Sequence, residues 1–222
     1  MRLKVCAVKN KLVVLILVMM GSACFAQAPS AVAGVARQLE GTIYIVPHRE
    51  SVDGQLRACG LEFSALKMDF STKGGAPVKM AGSFYMRYNS TARHLFYALK
   101  IGISDGLGTN SVFSAPANAF IRAPRGKAPV KARQIASETP GYALFVGSVD
   151  NEVLSAYEGI LEKNQLVVGF NRAPGQMDVT TTLDLTVVDT KMVGNKVVRE
   201  RSPQPVEEFL DCTDTLFKTD KK

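Results

Sequence analysis

Two histidines, four cysteines, one run of cations and a scatter of carboxylates are the side chains here whose chemistry could go beyond packing. His48 follows Pro47 and His94 opens an alternating run. Neither falls in a HExxH or any other metal-ligand spacing, so no metal and no cofactor are assigned. Gly147-Ser148 lacks the second glycine of a nucleophile elbow. Asp178 and Asp184 share one strand parity and stand about 20 Å apart at strand rise. A glycosidase pair needs roughly 5–10 Å. The loop Asp105–Asn110 carries two glycines but no following Lys-Ser/Thr pair, which excludes a phosphate-cradling P-loop. No catalytic residue is assigned.

Cations offer binding rather than reaction. Arg122, Arg125, Lys127, Lys131 and Arg133 fall within twelve residues that hold no acid, interrupted by Pro124, Gly126 and Pro129. The prolines and glycine predict an extended surface loop. Such a loop could meet an anionic surface or an acidic face of an envelope protein. Arg172 precedes a Pro174-Gly175 turn and either pairs with Asp178 across it or contacts an anion or partner. No aromatic residue interleaves the basic run, which argues against nucleic-acid stacking.

The chain begins with an export pattern. Arg2, Lys4, Lys9 and Lys11 precede the apolar run Leu12–Met20 and the small residues up to Ala26. This is the order of a secretory signal peptide cleaved after Ala26, with a periplasmic or secreted destination. Gly21-Ser22-Ala23-Cys24 offers the alternative of a lipid anchor at Cys24. The apolar run is shorter than the ~20 residues that span a bilayer. Net charge falls from +7 for the whole chain to +3 without residues 1–26, because the leader holds four cations and no acid. Removing the leader leaves Cys59 and Cys212 as the remaining cysteines, which are expected to pair in an oxidising compartment.

The elements that must position these groups are mainly strands. Residues 27–40 read as a flexible leader and 41–222 as one exported domain. Thr42–Val46 predicts a short edge strand ended by Pro47. Gln55–Phe70, Val78–Tyr88 and Leu95–Ile103 predict a meander. A parity change in the first of these predicts a bulge near Ser64 or Ala65. Tyr142–Val149 predicts a strand buried on both faces. Residues 150–163 predict an amphipathic helix with Val153, Leu154, Tyr157, Ile160 and Leu161 inward. The alternating run Met177–Val188, a Gly194-Asn195 hairpin and a C-terminal helix over 206–217 follow.

The fold class is α+β, mainly antiparallel sheet with a central helix, or alternatively an all-β sandwich. The function classes are a non-catalytic interaction or accessory protein of the cell envelope, a carrier of a small ligand or anion, and a hydrolase with a dispersed site. The oligomeric state is not legible. Intact mass of the protein from its native envelope checks the processing: the expected species begins at Gln27 and gains two hydrogen masses on reduction. A lipid adduct, or no change on reduction, would reverse the leader or the cysteine assignment respectively.

Overall fold

The fold was obtained as a computed structural model that describes residues 28–71, 75–89, 91–92, 94–108, 110–126, 129–130 and 132–220. The leader, its cleavage site and Cys24 lie outside the described residues. Alternation of large apolar with smaller or polar side chains drives the main sheet. β1 (Gly41–Val52), β2 (Gln55–Asp69), β3 (Ala76–Asn89) and β4 (His94–Ser104) form an antiparallel meander. The sheet continues through β7 (Ala143–Ser148) to β6 (Arg133–Ile135) at the far edge. Leu61, Phe63, Met80, Phe84, Leu99, Ile101 and Phe145 point to one face and are at most 2% exposed.

A second layer covers that face. β5 (Asn118–Arg122), β8 (Gln165–Asn171) and β9 (Val179–Asp184) form a sheet in the order β5-β8-β9. This sheet, α2 (Asn151–Lys163) and α3 (Gln204–Asp220) share one apolar cluster with the large sheet. Each large apolar side chain so buried contributes about 1.5–3 kcal/mol. The Cys59–Cys212 disulfide ties β2 to α3 across 153 residues of sequence. The hairpin of β10 (Val187–Val193) and β11 (Lys196–Arg201) flanks β1. There Arg199 donates to the carbonyls of Leu39, Glu40 and Thr42.

The chain is thus mostly antiparallel sheet with three helices, and several expectations change in detail. The stretch read as a flexible leader is helix α1 (Ala28–Leu39), in which Ala36 is fully buried beside Leu66 and Met68. Pro29 does not oppose this, because a proline in the first turn lacks only an N–H that has no intrahelical partner. β1 runs through Pro47 instead of ending there; as an edge strand it tolerates the missing donor. The irregularity expected near Ser64 lies across from it, between Thr42 and Tyr44 of β1, while the β2–β3 register is unbroken. The parity of β2 changes because α1 covers Leu66 and Met68 on the face opposite the core.

β7 buries Ala143 and Phe145, but leaves Leu144 and Val146 half-exposed, so one of its faces is open. The run 177–188 divides into β9 and β10 at a turn in which Asp184 Oδ1 accepts from the Thr186 N–H and hydroxyl. The helix α2 is capped as its sequence implies: the Val153 N–H donates to Asp150 Oδ1 at 3.0 Å, and Asn164 takes a left-handed conformation at the other end. Its buried stripe is Val153, Ala156, Gly159 and Ile160, whereas Leu154 and Leu161 are exposed.

Pro124 explains that rotation. A Cβ on Gly159 would lie 2.4 Å from Pro124 Cδ, so the glycine admits the loop that follows β5. Gly159→Ala would gain about 1 kcal/mol of helix propensity but overpack this contact. The expected result in a urea titration is net destabilisation by about 1–2 kcal/mol. An unchanged or raised midpoint would show that Pro124 yields.

Candidate functional site

The six-stranded sheet has a second face, and the register places its side chains in rows. Tyr44, Ser64, Ala81 and Gly102 form one row, and Tyr142, which enters β7, ends it. Val46, Glu62, Ser83, Lys100 and Leu144 form the next, then His48, Gly60, Tyr85, Ala98 and Val146. Glu50, Ala58, Arg87, Phe96 and Ser148 form the last. Small residues therefore line the floor while long side chains stand around it. α1 covers one end of this face through Ala36, Leu39 and their contacts with Leu66 and Met68.

The uncovered remainder is a groove with two ends that share Ser83, Tyr85 and Lys100. One end, of about 270 Å³, is lined by Tyr44, Glu62, Thr139 and Tyr142. The other, of about 640 Å³, is lined by Glu50, Arg87, Phe96, Ile135 and Glu138. Residues 135–139, which leave β6, form a wall. Lys100 Nζ donates to Thr139 Oγ1 at 2.5 Å and lies 5.7 Å from the centre of the Tyr142 ring. Across the groove Arg87 pairs with Glu50 at 2.8 Å.

Two of the rings lie on glycines. A Cβ on Gly60 would fall 2.3 and 2.4 Å from Tyr85 Cδ1 and Cε1, and one on Gly102 would fall 3.1 Å from the same atoms of Tyr142. His48 meets the Tyr85 ring edge-on at 5.6 Å. Burial, reinforced by the Glu62 carboxylate, pushes the phenols of Tyr44 and Tyr142 up. Burial also raises Tyr85, against a hydrogen bond with Ser83 that lowers it. All three are neutral O–H donors at neutral pH.

Among the described residues, the cations singled out in the sequence do not gather. Lys127 and Lys131 lie outside the described residues. Arg122 ends β5 opposite Val167 and Arg172 follows the other end of β8, so the two are separated by five strand steps, about 17 Å. Arg125 is exposed in a turn closed by the Gly126 N–H donating to the Ala123 carbonyl. The stretch is not a uniformly extended loop, because Val130 is buried and its N–H donates to the Ile121 carbonyl. Arg133 is exposed in β6, in register with Val146, and shares the groove's face.

Arg172 is held by carboxylates. Its Nε donates to Asp69 Oδ2 and its NH2 to Asp105 Oδ1, both at 2.6 Å, while Asp178 accepts from Asn171 Nδ2. The expected Arg172–Asp178 pair therefore gives way to a clamp between the two sheets. His48 and His94 are both exposed and each meets a ring, Tyr85 and Phe96 respectively. Among the described residues no group of His, Cys, Asp and Glu is arranged to hold a metal, and no helix is long and apolar enough to cross a membrane.

No family model, curated protein or solved structure matches the chain. The groove is the feature that sequence reasoning missed. Its signal was the aromatic residues Tyr85 and Phe96 on the parity opposite the apolar one, together with glycines at Gly60 and Gly102.

The clamp carries a pH dependence. Asp69 has a fully buried side chain; burial pushes its carboxyl up, but hydrogen bonds from Ser71 and Arg172 outweigh this and hold it below the ordinary value of 3.8. A carboxylate so lowered favours the folded state above that ordinary value and loses the contribution as pH falls through its folded-state value. Asp69→Asn is expected to be destabilised at neutral pH, with the gap from wild type narrowing as pH drops below 3.8. Urea titrations across that range measure it; a constant gap would show that charge at Asp69 does not contribute.

Proposed function

We propose that the protein is a non-catalytic binding or accessory protein of the cell envelope, and that its contact surface is the open face of the six-stranded sheet. The observation that carries this is the groove itself. A floor of small residues, ringed by Tyr44, Tyr85, Tyr142 and Phe96 and walled by residues 135–139, combines apolar surface with a few convergent polar groups. The Cys59–Cys212 disulfide, and the lack of a membrane-crossing helix among the described residues, are compatible with an extracytoplasmic setting.

The layering supports a binding role. Sheet ladders satisfy the groove's backbone groups, so the floor is rigid and the side chains above it are displayed without reorganisation. Both histidines are exposed and lie beside rings, so the groove lends no support to a histidine-based hydrolase. Of the described cations of the Arg122–Arg133 stretch, Arg122 ends β5, Arg125 is exposed in the turn after it and Arg133 lies in β6, so these three do not support an anion carrier.

A photo-crosslinking residue at Ile135, on the wall, is expected to give a discrete mass-shifted adduct in cells that export the protein. The same residue at Leu161, exposed on α2, serves as the control. Equal labelling at both positions would overturn the assignment of the groove.

A further inference from the structure

Resting on the groove as the contact surface, we propose that its occupant is an uncharged oligosaccharide lying along the strands, with sugar faces against Tyr85 and Tyr142. The ring geometry is the first argument. Tyr85 lies on Gly60 and Tyr142 on Gly102 so closely that a Cβ at either glycine would collide with or crowd the ring. Lys100 Nζ also stands 5.7 Å from the centre of the Tyr142 ring; both tyrosines are half-buried, so part of each ring remains exposed to the groove. The C–H face of a pyranose is the flat, weakly polarised surface that packs on such a ring, whose π face is electronegative.

Charge is the second argument. Glu62 on β2 and Lys100 on β4 face the groove with Ser83 of β3 between them in register, about 10 Å apart by strand spacing. Glu50 is paired with Arg87 within the groove; the wall adds Glu138, and Arg133 stands on the same sheet face. A surface with its signs balanced gives neither a polyanion nor a polycation a net advantage. Hydroxyls, in contrast, can donate to a carboxylate and accept from an ammonium, and hydrogen bonds to charged partners are the strong ones. The hydroxyls of Tyr44, Ser83 and Thr139 add both donors and acceptors to the same end of the groove.

Shape is the third. From the Gly102 row to the Phe96 row the groove follows six residues of β4, about 20 Å at strand rise, which suits a short chain of sugars rather than one. An extended peptide recognised by strand addition needs an open edge. The floor here is a sheet face whose backbone groups are already paired between β2, β3, β4 and β7.

The test uses cellotetraose, chitotetraose and maltotetraose as probes. The chain has no tryptophan, so tyrosine emission reports on the groove, and calorimetry gives the affinity. At least one tetraose is expected to bind saturably, and Tyr85→Ala and Tyr142→Ala to weaken it about tenfold each. Glu62→Gln, at an exposed position with little bearing on folding, is expected to weaken it comparably with an unchanged melting temperature. Affinity that is indifferent to Glu62→Gln and Tyr142→Ala overturns the proposal. If none of the three sugars binds at millimolar concentration while the Ile135 probe captures a protein, the sugar assignment falls and the groove stands as a protein-binding surface. If neither sugar nor adduct is found, both fall.

Discussion

A six-stranded sheet has two faces, and this chain supplies a full covering layer for one. That imbalance organises the molecule. β5, β8, β9, α2 and α3 all go to the face carrying Phe63, Phe84, Leu99 and Phe145, where burial removes the most apolar surface from water. What remains for the other face is α1 at one end and the segment 135–139 along one side. The open area between them is tolerable because glycine, alanine and serine beneath tyrosines and charged side chains make up much of its rows, with Val46, Leu144 and Val146 at their ends.

Two cross-links hold the covering layer in place, and they act differently. The disulfide joins β2 to α3 covalently, restricting the unfolded chain over a long loop, a contribution of up to about 5 kcal/mol in the chain-entropy model. The Asp69–Arg172–Asp105 clamp joins the end of β2, the loop after β4 and the β8–β9 turn by charge. Its buried carboxylate is stable only because Ser71 and Arg172 fill its acceptor positions; without them the desolvation cost would dominate. With both in place the large sheet is anchored from its core side, which leaves the groove's floor fixed from beneath.

The elements most legible in the sequence are those whose cause is local. Period-two alternation placed β2, β3 and β4, Ser148 or Asp150 offered a cap before α2 and Asn164 a stop after it, of which the structure uses Asp150, and Gly194-Asn195 marked the turn between β10 and β11. The C-terminal helix was also visible, in the spacing of Val206, Phe209 and Leu210. The elements misread depend on what lies across from them. Leu154 and Leu161 were expected inward, yet Gly159 receives Pro124 and turns the helix away from them. α1 was hidden by Pro29 and Gly34, and is held by contacts with Leu66 and Met68 far along the chain. β7 has apolar residues on both parities but only one covered face.

The candidate site was the least legible part. Tyr44, Tyr85 and Tyr142 come from three separate strand regions, and nothing in their local sequence brings them together; strand register does. Of the cations that stood out in the sequence, Arg122, Arg125 and Arg133 lie in β5, the turn after it and β6, and Arg172 is consumed by carboxylates distant in sequence. By itself the sequence determined the long strands of the meander and the helices α2 and α3, that Cys59 and Cys212 would pair, and that the chain carries an export pattern, because alternation, capping, cysteine count and leader composition are short-range properties. Only the tertiary structure decided which sheet face would stay open and which side chains would line it. That outcome depends on the distribution of covering layers over the whole molecule, a quantity no local window contains.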